Sequence, residues 1–379
     1  MPRPSPDAVQ EIATLAAKRA ADSEARRNLD PDVVRLVVQG GFARHFVPVA
    51  QGGVAGSFSE LLSAVALLGE TCASTAWFAS LAAATGRMAA FLPVEGQREV
   101  WAQGPDVVVV GALGQSGTAE PVPGGWRVRG QWPYVSGVAY ADWALVCART
   151  PVDGGHEPWF FAVPRAAFGI ADTWFNAGMR ATGSNTLVLA EVVVPRSRSV
   201  ALADLFAGRA PDAQAACHQV PMKAANGLTL VAPLLGAARG AVSRWVELVA
   251  GKLKGPAAAI SGGINRSVYE LTLARADGEL DAVELLLRRV AEVADRGDPG
   301  PVLTVRNGRD CALAADLLAG VVDRLIRSSG SRGQAENEPL QRFWRDVTTG
   351  AGHAGLQLPA IAGAYASRPD LLPAAPTRR

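Results

Sequence analysis

Two residues of this sequence carry chemistry in surroundings that would let them use it. Ser136 stands in GQWPYVSGVAYADWALV (130–146), between a proline-linked aromatic pair and a stretch that reads as the start of a buried strand. His353 ends NEPLQRFWRDVTTGAGH (337–353), where Pro339 is placed to begin a helix and Gly350 and Gly352 to end it. An imidazole that titrates near neutrality can give or take a proton. Asp346 precedes His353 by two helical turns, so both lie on roughly one face if the helix persists. In an extended chain Trp132, Tyr134 and Ser136 alternate onto one side, where all three would present to the same planar ligand. The plainer readings are a satisfied or surface histidine, and tryptophans (Trp132, Trp143, Trp159, Trp174) that fill the core of a small sheet.

Several other chemistries lack their residues. The four histidines form no HxxxH or HExxH, and the four cysteines form no CxxC, so neither a zinc site nor a disulfide framework is indicated. Ser136 has no GxSxG elbow, which argues against a serine hydrolase. QGGVAGS (51–57) lacks the GK[ST] ending of a phosphate loop and reads as a plain loop, so no nicotinamide site is expected. The 37 basic and 35 acidic residues are dispersed, with a formal charge of +2, and no run of like charge marks a nucleic-acid arm or a polybasic anchor. The longest apolar runs are too short for a bilayer, and the N-terminus has no apolar h-region, so a cytoplasmic protein without nucleic-acid or membrane partners is expected.

The elements that must position Ser136 and His353 follow from periodicity. The chain has 379 residues, 49% hydrophobic and 19% charged, enough to bury a large core. From Asp7 to about Trp101 apolar residues recur at helical spacing, and Ser57-Phe-Ser-Glu60 is a capping box that should start a helix. From Val107 to about Val200 β-branched runs alternate with turns at Pro123-Gly-Gly125 and Asp153-Gly-Gly155, the pattern of a compact antiparallel unit. Three long helical segments then run from about Met222 to Ser329, and a shorter one begins at Pro339. TGSN (182–185) reads as a turn that satisfies its own backbone. The tail after Ser367 is expected to be frayed. The reading is a mainly α, α+β protein: a helical domain (1–105), a central antiparallel β domain (106–205) and a C-terminal four-helix bundle (206–379).

Three segments in this order also resemble a known family. GQWPYVSGVAYADWALVCA is similar to the flavin-contacting strand of the acyl-CoA dehydrogenase fold, as found in the oxygenase components of two-component (group D) flavin-dependent monooxygenases. GMRATGSNTLVLAEVVVP (178–195) resembles that family's Gly-x-Arg-x-Thr-Gly-Ser turn and following strand. NEPLQRFWRDVTTGAGH resembles its C-terminal Arg-Asp segment with a terminal histidine.

The resemblance implies a flavin site in which Ser136 lies by N5, where a flavin C4a-hydroperoxide needs a hydrogen-bond partner. It implies that Trp132, Tyr134 and Val135 pack along the isoalloxazine, and that the GALGQSGTA loop, with Gln115 and Ser116, contacts the pyrimidine end. His353 would assist oxygen activation or serve as acid or base toward substrate. The implied function is hydroxylation of a small aromatic or polyketide-type substrate with O2 and reduced FMN or FAD, delivered by a separate NAD(P)H:flavin reductase to a homotetramer. N-oxygenation of an amine or amino sugar, an acyl-CoA dehydrogenase-like flavoprotein, and a binding protein of the same fold are the alternatives. The helix SLAAATGRMAAFLP departs from several relatives in carrying no histidine, which leaves the base acting on substrate unassigned.

Overall fold

The computed structural model describes residues 4–211, 215–254 and 266–368. Helices come first: α1 (Pro6–Arg26), α2 (Pro31–Gln39), α3 (Phe58–Gly69), α4 (Ala73–Ala89) and α5 (Val94–Val100). The capping box starts α3 as expected, with Ser57 Oγ accepting from Glu60 N and the Glu60 carboxylate accepting from Ser57 N. A second carboxylate reinforces the same end, since Asp295 accepts from the backbone N–H groups of Phe58 and Ser59 and from the Ser59 hydroxyl. The first turn of α3 is thereby tied to a residue more than 200 positions away.

Seven strands follow: β1 (Val109–Val122), β2 (Gly125–Val135), β3 (Trp143–Val152), β4 (Gly155–Pro164), β5 (Gly169–Ala171), β6 (Asn185–Pro195) and β7 (Ser199–Ala201). They form one sheet in the order β5-β6-β2-β1-β3-β4-β7. The two glycine turns are hairpins, with Gly124 and Gly154 at φ of 81° and 86°. The sheet is not wholly antiparallel: β1 and β3 run parallel, with Val109 opposite Trp143. The reason is the segment after β2, which leaves the sheet at Ser136 and re-enters on the far side of β1, so β3 must run in the direction of β1.

The remaining helices are α6 (Leu202–Ala207), α7 (Ala216–Gln219), α8 (Met222–Lys254), α9 (Arg266–Ala294), α10 (Gly300–Ser329), α11 (Pro339–Ala351) and α12 (Leu358–Ala366). Helix α8 packs against α9, α10 and α11 in a bundle, and it also packs on α3 and α4. Its contact with α3 is close because both helices carry glycine there: a Cβ on Gly236 would sit 2.0 Å from Ala66 O. One hydrophobic cluster extends from Val9 through Val128 and Leu234 to Leu356, so helices, sheet and bundle share a core. Among the described residues no helix is long and apolar enough to cross a membrane. The tail expected to fray lies beyond Arg368, outside the described residues.

Candidate active site

A cavity of about 620 Å³ opens where α4, the start of β1, the end of β2 and the C-terminal end of α11 converge, with α8 behind it. Its walls are mostly apolar: Phe78, Leu81 and Met88 come from α4, and Leu230 from α8. No Asp, Glu, Lys or Arg belongs to the described lining, in which Tyr134 and His353 are the titratable side chains. Such a site is built for a neutral, largely apolar ligand held by a few directed hydrogen bonds.

Ser136 faces this cavity at the head of a chain of hydrogen bonds. Trp77 Nε1 donates to Ser136 Oγ at 3.1 Å, and Ser136 Oγ lies 2.8 Å from Ser184 Oγ. Ser184 Oγ is 2.6 Å from Thr182 Oγ1, which in turn donates to Met179 O at 2.8 Å. Two members of TGSN therefore support Ser136 as well as their own turn. The turn's placement depends on Met179, whose φ is 52° and whose N–H is held by buried Asp346 at 2.6 Å. Gly137 must be glycine for a related reason, since its φ is 70° and a Cβ would meet the Phe78 ring at 2.6 Å.

The simple alternation expected for Trp132, Tyr134 and Ser136 does not occur. Tyr134 has a φ of 64°, and the pairing of β2 with β6 shifts register between Trp132 and Val135. This bulge turns the three side chains to different levels. Trp132 is fully buried, with its Nε1 donating to Cys147 O at 2.7 Å and its ring laid over Gly117, where a Cβ would come within 2.2 Å. Tyr134 stands at the rim, 72% exposed and edge-on to Trp174 with centroids 6.2 Å apart. Val135 is buried in the core and is not part of the cavity wall. Ser116 lines the cavity, whereas the neighbouring Gln115 does not.

The stretch from Leu113 to Ser116 has a second property. It falls in a register break: the ladder of β1 with β3 pairs Ala112 and Gly117 but none of the residues between, and the ladder with β2 begins only at Gly117. Leu113, Gly114 and Ser116 of this stretch line the cavity.

His353 lies on the opposite wall. Helix α11 stops at Ala351, and His353 adopts an extended conformation (φ −60°, ψ 136°) that caps the turn at Ala354–Leu356. It therefore does not share a helical face with Asp346, because Gly352 ends the helix first. Its Nδ1 accepts from Gly355 N at 3.0 Å, and its ring centroid is 5.9 Å from that of Trp77. His353 is exposed where it lines the cavity, and desolvation of its ring by the surrounding protein lowers its pKa below the ordinary histidine value. In its neutral form, with Nδ1 accepting a hydrogen bond, the imidazole carries its proton on Nε2.

Trp77 was the residue that sequence reasoning missed. It lies in an alanine-rich apolar helix, where a tryptophan reads as core, and its link to Ser136 exists only in the folded chain.

The chain is similar to known proteins in both sequence and fold. Residues 228–358 match the family described as acyl-CoA dehydrogenase, C-terminal domain. The chain is 32% identical to the oxygenase component of FADH(2)-dependent resorcinol hydroxylase from Rhizobium sp. (strain MTP-10005), over 93% of this chain and 90% of the relative. It is 31% identical to the oxygenase subunit HsaA of a flavin-dependent monooxygenase from Rhodococcus jostii (strain RHA1), over 89% and 90%. Among solved structures, 3-HSA hydroxylase from Rhodococcus sp. RHA1 superposes with a TM-score of 0.89 at 27% identity, covering 97% of each chain. XiaF from Streptomyces sp., solved with FADH2 and glycerol, superposes with a TM-score of 0.87 at 27% identity, covering 98% of this chain and 96% of the other.

Proposed function

This chain belongs to the oxygenase components of the two-component flavin-dependent monooxygenases, proteins of acyl-CoA dehydrogenase fold, and from that membership we propose that it hydroxylates a small phenolic or related aromatic substrate with O2. As an oxygenase component it takes reduced flavin from a separate reductase. FADH2 is the form proposed first, with FMNH2 as the alternative. The observation that carries the substrate class is the cavity lining: apolar and aromatic walls, neutral polar groups and no carboxylate. A dehydrogenase of the same fold would need a carboxylate to remove an α-proton, and a charged substrate would need a counter-ion.

The residues present fit a flavin. The irregular stretch Leu113–Ser116, which lies in the register break of β1, is placed to meet the polar pyrimidine edge of the ring, and Ser116 adds a hydroxyl. Trp132 provides an apolar wall, Tyr134 a rim, and Val135 backs the same strand from the core. Gln115, which is not part of the cavity lining, has no assigned contact. Ser136 supplies a hydrogen-bonding oxygen for the ring's N5 position. When bound, reduced flavin supplies the electrons that activate O2.

The protein's own part is to position and to exclude water. His353, which in its neutral form carries its proton on Nε2, is suited to donate a hydrogen bond to a substrate oxygen, and a change of tautomer would be needed before it could act as a base. The apolar side chains of α4 and α8 hold the aromatic body of the substrate. Val246, Val268, Leu271 and Leu285, exposed on α8 and α9, support assembly through the bundle, proposed as a homotetramer. The proposed domain limits are 1–105, 106–205 and 206–379, and the proposed compartment is the cytoplasm.

The test is turnover with NADH, a flavin reductase, FAD and 18O2 against resorcinol, other uncharged phenols and a panel of amines. One 18O atom in a hydroxylated phenol is the expected result. Oxygen consumed only to hydrogen peroxide with every phenol, or label found only in an N-oxide, would overturn the proposed substrate class.

A further inference from the structure

The hydrogen-bond chain behind Ser136 has a direction, and the direction follows from counting hydrogens. Trp77 Nε1 can only donate, so one lone pair of Ser136 Oγ is occupied. At the other end Thr182 spends its hydroxyl hydrogen on Met179 O. Ser184 must then donate to Thr182, and Ser136 must donate to Ser184. In this polarity Ser136 meets the cavity with a lone pair and no hydrogen.

The chain can run the other way at a defined cost. Met179 O also accepts from Thr182 N at 3.1 Å and from Trp174 Nε1 at 3.0 Å, so it stays satisfied if Thr182 turns its hydroxyl toward Ser184. Ser184 then donates to Ser136, and Ser136 points its hydrogen into the cavity. Four hydrogen bonds within the protein become three. The two polarities therefore differ by about one buried hydrogen bond, in favour of the one in which Ser136 accepts.

We infer that Thr182 and Ser184 act through Ser136 as a reader of flavin oxidation state. The inference rests on the flavin reading given above, with N5 beside Ser136. Reduced flavin carries a hydrogen on N5 and meets an accepting Ser136 without disturbing the chain. Oxidised flavin carries a lone pair there, and is bonded only after the chain reverses or is left unbonded at N5. Either way the oxidised form loses about one hydrogen bond, a roughly fivefold discrimination in favour of the reduced form. The effect would help an enzyme that must capture reduced flavin and release the oxidised ring. Thr182 and Ser184 are positioning residues, since neither needs to touch the ring.

The test is the ratio of dissociation constants for FAD and FADH2, measured aerobically and anaerobically, with FMN and FMNH2 as a second pair. Thr182→Val removes the acceptor for Ser184 and leaves each polarity with the same number of bonds. The ratio should fall about fivefold, which is equivalent to lowering the midpoint potential of the bound flavin by about 20 mV. Ser184→Ala frees Ser136 to donate and should lower the ratio similarly, so the result does not depend on one variant folding. Thr182→Ser, which keeps the hydroxyl, should retain the wild-type ratio. Trp77→Phe removes a bond used in both polarities and should weaken both forms with the ratio unchanged. A wild-type ratio in both Thr182→Val and Ser184→Ala would overturn the inference while leaving the flavin reading intact. Failure of the wild-type chain to bind either flavin in either state would overturn the flavin reading itself.

Discussion

Trp77 touches both candidate catalytic residues: its Nε1 donates to Ser136 Oγ at 3.1 Å, and its ring lies 5.9 Å, centroid to centroid, from His353. One indole on α4 therefore sets the spacing between a strand-end hydroxyl and a helix-end imidazole that are 217 residues apart in sequence (353 minus 136). That spacing matters because one group is assigned to the flavin side of the cavity and the other to the substrate side. Replacing His353 with alanine should lower the hydroxylation kcat by roughly tenfold, the scale of one hydrogen bond lost to the substrate oxygen in the transition state. Because burial depresses its pKa, the acid limb of the wild-type pH–rate profile should lie below the ordinary histidine range. An identical acid limb in His353→Ala would assign that titration to another group.

Ser136→Ala removes the oxygen assigned to N5 and strands the Trp77 N–H. With one hydrogen bond lost, hydrogen peroxide released per oxygen consumed should rise roughly fivefold, at the expense of hydroxylated product. Peroxide and product measured together in the reductase-coupled reaction give the answer. An unchanged peroxide yield would sink the proposed role of Ser136.

Pro233, inside α8, has no N–H to give to the carbonyl of Thr229, and the Ser80 hydroxyl donates to that carbonyl instead, at 2.6 Å. Both residues are buried, and α4 and α8 frame the cavity from two sides. Ser80→Ala should therefore cost about 1–3 kcal/mol in urea unfolding, because it leaves a buried carbonyl unpaired. Stability equal to wild type would mean that the helix closes over the gap by itself.

Much of the scaffold is legible in the sequence because its signals are local. The Ser57–Glu60 capping box and the Pro339 start each depend on residues within one helical turn, and the hairpins at Gly124 and Gly154 need only glycine in a turn. What was not legible depends on distant partners. The Trp77–Ser136 bond spans 59 residues. The parallel β1–β3 pair requires the excursion after Val135, and Tyr134 is forced into a positive φ by the register of β6. Even His353 leaves its expected helical face because Gly352 ends α11, so its relation to Asp346 differs from what a continued helix would give.

Asp346 instead carries a prediction of its own. It is buried beneath the TGSN turn, accepts the Met179 N–H, and burial pushes its pKa up to about 6, against an ordinary carboxylate value near 4. A raised pKa means that the folded chain holds this proton more tightly than the unfolded chain does. The group's stabilising contribution is therefore fully present below about pH 4, and it is lost as pH rises through about 6. At pH 8 the buried charge should cost on the order of 2 kcal/mol. Asp346→Asn keeps an oxygen for Met179 and removes that charge, so the variant should be more stable than wild type at pH 8 and the gap should close below pH 4. Chemical denaturation at the two pH values decides it. A variant less stable at pH 8 would mean that Arg342 and Arg345, whose charges favour the ionised form, outweigh the burial.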